Sequence, residues 1–400
     1  MTDPAVASTV VVVSYRPGDW LRRCLDSVIP HAGEVIVVDN CSADALATTI
    51  ARQAGARPLR TRRNLGFAGG VAAALPEARG QIVGVLNDDA VADPAWLPSA
   101  AAVLEDPGVA AVTPRVVLAG RYREVVLADE EWFAPPDQRP LGRQLCSVRV
   151  AGAEVLSRCV GAGLHDFETG SDGATWRWTR PGRPFYVPVP DETCPVDIDG
   201  TDPGPGITVS VLNHAGSFLR RHGIAGEHGF GAPDDGRFDP PREPFGFSGT
   251  APVFRAETLR RIGGFAPPFF AYNEDTDWCL RARLVGMRIA YDPAAKVTHR
   301  LSATSGGTAA ERVRRLSQRN ALLCLARNGP AGLARQEITD RLRKGWGDPV
   351  VPELVRRLPW ALATRRRMGR RWVTDPETIW EQWVEVGSSW DTSPARRPTI

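Results

Sequence analysis

Residues 8–115 alternate continuous apolar runs with segments whose apolar residues recur at helical spacing, and this alternation restricts the fold more than any other feature. Continuous apolar strands separated by helices are typical of a parallel sheet that helices cover on both faces. We therefore predict an α/β fold with a Rossmann-like, mostly parallel sheet flanked by helices. The predicted strands are residues 8–14, 34–39, 56–60, 81–86 and 109–112.

The pattern changes further along the chain. Over residues 119–245, proline, glycine and tryptophan become frequent and helical periodicity fades, which indicates an irregular, β-rich insertion packed on the edge of the sheet. Regular structure returns over residues 246–308. Residues 309–400 are helical where they are regular, and they end in a polar tail. We therefore predict two half-domains, 1–118 and 246–308, separated by the insertion and followed by a helical C-terminal region.

The composition indicates an ordinary soluble globular protein. Of the 400 residues, 43% are hydrophobic and 24% are charged, and the net charge is only +3. Basic and acidic residues are mixed over most of the length, so we predict no nucleic-acid partner, which usually requires a basic stripe. The seven cysteines form no CxxC pair, and we interpret them as free thiols in a reducing cytoplasm. Residues 1–8 lack the features of a signal peptide, which agrees with a cytoplasmic location.

Two predicted strands end in polar residues at the same edge of the sheet. Asp39 follows the second strand, and Asn87, Asp88 and Asp89 follow the fourth. Ligands of such sheets bind beyond the carboxyl ends of the strands. A divalent cation held by one or two carboxylates, with phosphate oxygens in its other positions, suits this chemistry. Acidic turns after strands are also common as plain solvated turns, so this pattern alone leaves both interpretations open.

A series of short motifs in a fixed order makes the pattern specific. The series resembles the family 2 glycosyltransferases of the GT-A fold, and its spacing resembles their rhamnosyltransferase-like actinobacterial branch. The resemblance covers residues 8–115 and 245–330 and touches the insertion at 213–216 and 229–231. The main motifs are VVVSYR (11–16), VVDNCS (37–42), RNLGFAGG (63–70), LNDDA (86–90), FSGT (247–250), GGF (263–265), FFAYNEDTDW (269–278), VTH (297–299) and RN (319–320).

For a nucleotide-sugar donor, the resemblance implies both a base contact and a metal site. Asp39 accepts a hydrogen bond from the imide N–H of the base, which favours a uracil or thymine nucleotide. Asn87 stands where many members have Asp, so a Mn²⁺ or Mg²⁺ cofactor depends mainly on Asp89, with His299 completing its shell. The other implied donor-site residues are Ser14, Tyr15 and Arg16 near the base and ribose, Asn64, Gly66, Phe67 and Gly70 near the diphosphate, and Asp88 beside Asn87 in the acidic motif.

For the acceptor, the resemblance implies Asp275 as the general base of an inverting transfer. One carboxylate takes a proton from the acceptor hydroxyl while that oxygen attacks the anomeric carbon. The metal neutralises the leaving diphosphate, so no protein acid is needed. The implied acceptor-binding residues are Glu274, Asp277, Trp278, Gly249 and Thr250.

Several of these residues also have a purely structural interpretation. Asp39 can be a turn residue, and Glu274 and Asp277 can favour the start of a helix. His299 after a strand-like segment can be a satisfied core histidine. Trp278 can be plain core instead of a wall of the acceptor site.

The residues after the first strand exclude two other enzyme classes. A dinucleotide oxidoreductase needs GxGxxG there, and the motif is absent. A sugar-1-phosphate nucleotidyltransferase needs a Gly-rich, Arg-containing loop, whereas this chain has Tyr15, Arg16 and Pro17. The alternative that stays open is a non-catalytic carbohydrate-binding or scaffold protein of glycosyltransferase descent.

The predicted function is transfer of a hexose from an NDP-sugar, with dTDP or UDP as the nucleotide, to an acceptor hydroxyl. The family branch alone favours rhamnose as the sugar and a cell-envelope glycan, glycolipid or secondary metabolite as the acceptor. Residues 356–372 are rich in arginine and aromatic residues, a composition that allows peripheral contact with the inner face of the cell membrane. The pattern favours a solvated helix or a subunit contact in a homodimer over this membrane contact, because Pro359 and Gly369 interrupt the amphipathic spacing.

Overall fold

The computed structural model describes residues 8–133, 139–170, 172–204, 206–300 and 307–385, so the predicted polar tail lies outside the described residues. Residues 8–118 alternate strands and helices, as predicted. Their elements are β1 (Ser8–Ser14), α1 (Asp19–Val28), β2 (Glu34–Asp39), α2 (Leu46–Ala54), β3 (Arg57–Arg60), α3 (Gly66–Ala74), β4 (Ile82–Asn87), β5 (Ala90–Ala92), α4 (Trp96–Val103) and β6 (Val109–Leu118).

The first four strands run parallel in the order β3-β2-β1-β4. Because side chains alternate across a strand, the neighbours Val10 and Val11 lie in apolar clusters on opposite faces of the sheet. Leu21 and Leu25 of α1 pack on one face, and Val71 of α3 packs on the other. The continuous apolar runs thus form the middle layer between two layers of helices.

The insertion consists of short strands. Its elements are β7 (Arg121–Val125), β8 (Gln144–Leu145), β9 (Val148–Val150), β10 (Ala153–Glu154), β11 (Leu164–Thr169), β12 (Thr175–Thr179), β13 (Phe185–Val189), β14 (Val196–Ile198), β15 (Thr208–Val209), β16 (Leu212–His214), β17 (Ser217–Leu219) and β18 (Ala225–Glu227). Most of these strands pair only with each other, around an apolar cluster that includes Leu145, Val148 and Phe185. One strand joins the main sheet, because β16 pairs antiparallel with β6.

Residues 246–308 complete the sheet with β19 (Val253–Arg255) and β20 (Arg288–His299), together with α5 (Ala256–Ile262) and α6 (Glu274–Leu284). β19 is antiparallel to its neighbours β4 and β6, whereas β20 is parallel to β6 and antiparallel to β5. The fold class is confirmed, but the sheet is mixed where we predicted a mostly parallel one. The chain re-enters β19 from the carboxyl edge of the parallel strands, which places Gly249 and Thr250 at that edge.

The C-terminal region is helical, as predicted, with α7 (Gly307–Asn328), α8 (Ala331–Leu342), α9 (Val351–Gly369) and α10 (Pro376–Trp383). Pro359 lies inside α9, which continues through this residue. Within the described part of the chain, no helix combines the length and the apolar character needed to span a bilayer.

A buried ion cluster joins α6 to α7. Asp277 is fully buried, and its carboxylate pairs with Arg281 at 3.0 Å and with Arg327 of α7. Asn328 Nδ2 donates a further hydrogen bond to it at 2.8 Å. Both guanidinium groups are buried as well, so the three charges compensate each other inside the protein. Loss of the carboxylate charge would leave two cations without their common partner, which is costly in a protein interior.

We therefore expect Asp277→Asn to lower the free energy of unfolding by about 3–5 kcal/mol, the usual cost of breaking a buried ion pair. Urea denaturation measures the change. Asp26→Asn is the control, because Asp26 pairs with Arg22 at the surface and removal of such a pair costs about 0–1 kcal/mol. Equal losses in the two variants would contradict the assigned role of the cluster.

Candidate active site

The first acidic loop links β4 to β5 at the carboxyl edge of the parallel strands. Asn87 is the last residue of β4, and Ser14 is the last residue of the adjacent β1. Ser14 Oγ donates a hydrogen bond to Asp88 Oδ2 at 2.6 Å. Burial raises the pKa of Asp88 to about 6, the Ser14 hydrogen bond opposes this rise, and the charge of Asp89 adds to it. Ser14 therefore fixes the acidic loop.

His299 faces this loop from the end of β20. Its Nε2 lies 3.1 Å from Asp89 Oδ1, and its Nδ1 lies 2.7 Å from Asn213 Oδ1. The Asn213 carbonyl oxygen can only accept, so Nδ1 carries a proton, and a ring without a second proton presents its Nε2 lone pair to Asp89. Two acceptor atoms at this distance need either a second proton or a cation between them. The Asp89–His299 pair therefore fits a divalent cation.

The two ligands of this pair do not complete a coordination shell. Across the described ranges, no group of three His, Cys, Asp or Glu side chains could hold a metal ion. Mg²⁺ is usually bound through one or two carboxylates, with phosphate oxygens and waters in its remaining positions. The site thus fits a cation that arrives with a phosphate-bearing ligand and does not fit a fully protein-bound structural metal.

The second acidic loop precedes α6. Phe270, Tyr272 and Asn273 all have left-handed backbone angles, with φ of 68°, 71° and 64°. Such angles are unfavourable for residues other than glycine and persist only where the surroundings enforce them. Asn320 of α7 supplies part of that enforcement, because its Nδ2 donates to the carbonyl oxygens of Phe269, Ala271 and Tyr272 at 3.0, 2.8 and 2.6 Å.

Asp275 and Glu274 begin α6 directly after this loop. Asp275 accepts hydrogen bonds from Gly249 N–H at 3.0 Å and from Thr276 N–H at 2.7 Å. Glu274 is buried, and its Oε2 has no hydrogen-bond partner among the described residues. Burial raises the pKa of both carboxyl groups, and the charge of Asp275 raises the pKa of Glu274 further. The pair therefore holds protons more readily than exposed carboxyl groups do.

One cavity of about 630 Å³ connects the two acidic loops. We name it the active-site cavity. It extends from the end of β4 to the start of α6, so Asp89, His299 and Asp275, the predicted metal ligands and base, line the same cavity. The predicted residues that line it are Phe67, Asn87, Asp88, Asp89, Gly249, Thr250, Glu274, Asp275 and His299.

The other donor-site residues surround this cavity without lining it, within the described ranges. Asp39 is buried, and its carboxylate accepts from Ser42 N–H at 2.8 Å and from Thr48 Oγ at 2.6 Å, so it holds the start of α2. Its contact with a base stays a prediction. Tyr15 is exposed beyond β1, with Arg16 stacked on its ring.

The predicted glycines serve close packing within the protein. Gly66 has φ of 72°, and a Cβ there would overlap the Phe270 carbonyl group. A Cβ on Gly70 would meet Val13 of β1. Asn64 Oδ1 accepts from Gly66 N–H at 2.8 Å and so shapes the turn before α3. These contacts bring the donor half of the site against the 270–272 loop of the acceptor half.

Two predicted acceptor contacts are wrong. Asp277 lies in the buried ion cluster described above, and Trp278 is fully buried between Phe247 and Phe254. The Trp278 Nε1–H donates to the Gly263 carbonyl at 2.8 Å, which satisfies its polar group inside the core. Neither side chain lines the active-site cavity in the described structure, because both point into the core from α6.

The lining of the cavity also includes polar residues that we did not predict there, among them Asn213, Glu227 and Tyr272. Asn213 comes from β16 and Glu227 from β18, both in the insertion. Burial raises the pKa of Glu227 to about 7, a hydrogen bond with Ser248 opposes the rise, and the charge of Asp275 adds to it. Asn213 and Tyr272 lie within matched motifs, whereas nothing in the spacing around Glu227 marks it.

The N-terminal third of the chain matches a known family. Residues 9–145 match the family model described as Glycosyl transferase family 2. The chain is also similar to the succinoglycan biosynthesis protein ExoO of Rhizobium meliloti (strain 1021), at 35% identity over 98 residues, which is 22% of this chain and 28% of that protein. The predicted resemblance to the family 2 glycosyltransferases is thus confirmed for residues 9–145. The rhamnosyltransferase-like branch stays a prediction.

Two solved structures resemble the chain over most of its length. One is GalNAc-T7 with UDP, GalNAc and Mn²⁺, with a TM-score of 0.53 and 14% identity, covering 94% of this chain and 56% of that one. The other is the mannosyltransferase PcManGT from Pyrobaculum calidifontis in complex with GDP-Man and Mn²⁺, with a TM-score of 0.40 and 16% identity, covering 90% of this chain and 73% of that one. The GalNAc-T7 likeness concerns the fold alone and agrees with a GT-A-like architecture. This chain corresponds to only part of ExoO and of GalNAc-T7.

The orientation of His299 gives a test of the cation site. We expect Asn213→Ala to weaken Mn²⁺ binding by roughly ten- to a hundredfold, because partners that orient a ligating imidazole typically contribute this much. His299→Ala should weaken it at least as strongly. Electron paramagnetic resonance of free Mn²⁺ measures the affinity. Asp93→Asn, an exposed carboxylate beyond β5, is the control; unchanged Mn²⁺ affinity in His299→Ala would contradict the site.

Proposed function

We propose that this chain is an inverting glycosyltransferase that moves a sugar from a nucleoside-diphosphate sugar to an acceptor hydroxyl group. The observation that carries the proposal is that Asp275 lines the same cavity as the Asp89–His299 pair. Such a transfer needs a base for the attacking oxygen and compensation of charge on the departing diphosphate. The family 2 match of residues 9–145 supports this assignment.

A divalent cation, Mg²⁺ or Mn²⁺, would be held by Asp89 and His299, and when bound it neutralises negative charge on the leaving diphosphate. Two hydrogen bonds within the chain orient side chains at this site. Asn213 fixes the proton on His299 Nδ1, and Ser14 fixes the carboxylate of Asp88. The structural relative GalNAc-T7 was solved with UDP, GalNAc and Mn²⁺, and we extend the nucleotide and the cation to this chain as part of the proposal.

Asp275 acts as the general base in this proposal. Hydrogen bonds from Gly249 and Thr276 fix the plane of its carboxylate, and burial raises its pKa, which strengthens it as a proton acceptor. The carboxylate takes the proton of the acceptor hydroxyl as that oxygen bonds to the anomeric carbon. The bond from that carbon to the diphosphate breaks on the opposite side, so the configuration inverts.

Glu227 and Glu274 position the acceptor in this proposal. Both line the active-site cavity near Asp275, and Glu274 Oε2 has no hydrogen-bond partner among the described residues. Carboxyl groups of this kind can bind sugar hydroxyls next to the one that reacts. Gly249 and Thr250 complete this wall of the cavity.

Several finer features belong to the proposal. The nucleotide is dTDP or UDP, the sugar is rhamnose, and the acceptor is a cell-envelope glycan, a glycolipid or a secondary metabolite. ExoO is named as a succinoglycan biosynthesis protein, which supports a polysaccharide context. We place the enzyme in the cytoplasm, with α9 and the residues after it, 356–372, against the inner face of the cell membrane or against a second copy of the chain.

The release of nucleoside diphosphate from dTDP-, UDP- and GDP-sugars, with Mn²⁺ or Mg²⁺ present, tests the function directly. We expect Asp275→Asn to bind the active donor normally and to lose transfer by about 100-fold or more, the usual scale for a lost general base. Asp93→Asn again serves as the surface control. Near-normal turnover of Asp275→Asn would contradict the base assignment. A folded wild-type protein that releases no nucleoside diphosphate from any donor would favour the scaffold alternative.

Glu227→Gln gives a second test, specific to the acceptor side. We expect the acceptor KM to rise roughly ten- to a hundredfold, since a hydrogen bond to a charged group contributes about 1.5–3 kcal/mol. Slow hydrolysis of the donor, in which water replaces the acceptor, should be unchanged. Glu192→Gln removes a surface carboxylate of the same insertion and is the control. Equal effects of Glu227→Gln on hydrolysis and on transfer would contradict the assignment.

A further inference from the structure

A second cavity of about 490 Å³ lies between α7 and α9 and is lined mainly by arginines. We name it the arginine pocket. Its charged lining residues are Arg312, Arg315, Arg319, Arg356, Arg357 and Glu353, and Phe270, Leu316 and Pro352 complete it. Five guanidinium groups thus surround a cavity with a single carboxylate. No role of these arginines follows from the transfer reaction described above.

The single carboxylate does not neutralise the arginine pocket. Glu353 pairs closely with Arg319 and lies 3.8 Å from Arg315 and 3.7 Å from Arg357. Arg312 and Arg356 form no ion pair with a carboxylate among the described residues. The pocket therefore retains uncompensated positive charge on the exposed Arg312 and Arg356, and this charge attracts an anion.

Two N–H groups of the pocket have no hydrogen-bond partner among the described residues. Arg315 Nε and Arg357 Nη1 are both buried from solvent. Burial lowers the pKa of Arg357, and the neighbouring charges of Arg319 and Arg356 lower it further. Both donors face Glu353 at 3.8 and 3.7 Å from its carboxylate oxygens, which is beyond hydrogen-bond distance, so an acceptor oxygen bound in the pocket would satisfy them. The forked N–H groups of arginine match the oxygens of a phosphate group.

The arginine pocket is adjacent to the active-site cavity. Phe270 lines the former, and the next two residues, Ala271 and Tyr272, line the latter. In α7, Leu316 lines the arginine pocket and the next residue, Ser317, lines the active-site cavity. One extended molecule can therefore reach both places.

The two cavities differ in charge. The active-site cavity is lined by five carboxylates, and its described lining contains neither lysine nor arginine. Without a cation it disfavours a phosphate group, whereas the arginine pocket favours one. We propose that the arginine pocket binds a phosphate group of the acceptor, while the reacting sugar of the same molecule lies beside Asp275. This inference rests on the proposed function and narrows the acceptor to phosphate-bearing glycans.

Calorimetric titration with inorganic pyrophosphate, without divalent cations, tests the site. We expect the wild-type protein to bind pyrophosphate. The affinity of Arg312→Gln/Arg356→Gln should be lower by a factor of about ten or more, since two charge-assisted contacts are lost. Arg52→Gln/Arg335→Gln removes the same charge from exposed positions outside the pocket and should bind as the wild type does. Absence of binding to the wild type, or equal binding by both double variants, overturns the proposal.

A second measurement separates an acceptor phosphate from a lipid surface. Geranyl diphosphate serves as a soluble diphosphate, and sedimentation with phosphatidylglycerol or phosphatidylcholine vesicles reports on membrane binding. We expect geranyl diphosphate to bind the wild type and to lose affinity only in Arg312→Gln/Arg356→Gln. Binding confined to phosphatidylglycerol vesicles would overturn the proposal in favour of a membrane contact.

The outcomes also separate this proposal from the proposed function. Diphosphate binding needs no sugar transfer. If the wild type binds pyrophosphate but releases no nucleoside diphosphate, the result supports the arginine site and contradicts the enzymatic assignment. If the wild type transfers sugar and both double variants bind pyrophosphate equally, the result contradicts only the arginine site.

Discussion

The buried carboxylate of Asp277 holds the acceptor side of the molecule together. It is shared by Arg281 of its own helix and by Arg327 of α7, so α6 cannot shift against the C-terminal helices without leaving a charge unpaired. α6 begins at Glu274, after a loop of strained left-handed residues, and Asn320 of α7 binds three carbonyl groups of that loop. The C-terminal helices are therefore part of the frame that holds the candidate base.

The β17–β18 hairpin of the insertion extends this frame. Asn273 donates to the Gly223 carbonyl in the turn of the hairpin at 3.2 Å, and Trp380 of α10 donates to the Arg221 carbonyl at 3.0 Å. The hairpin is thus held between the acidic loop before α6 and the last helix. Its second strand ends at Glu227, which explains how a residue outside the matched motifs lies at the active-site cavity.

The sequence allows prediction of features that depend on local order. The strands β1 and β2 coincide with the predicted ranges because continuous apolar runs are a local signal, and Asp89, Asp275 and His299 could be placed through motifs next to strand and helix ends. The pairing of Asp277 with Arg281 is predictable from their i,i+4 spacing, but its contact with Arg327 and the burial of Trp278 are not, because α6 is buried almost all round and its periodicity marks no outward face. Glu227 and Asn213 depend on pairing between short, distant strands, which leaves no periodic trace.

The pairing of β16 with β6 also ties the insertion to the cation site. This pairing brings Asn213 of the insertion to His299. The side chain of Asn213 thus determines which nitrogen of the imidazole carries the proton. The insertion further supplies Glu227 to the proposed acceptor wall. If the proposed roles hold, replacement of residues 119–245 by those of a relative changes acceptor choice and cation affinity in a single step. Acceptor choice and cation affinity therefore change together, so the insertion is not an independent module of the chain.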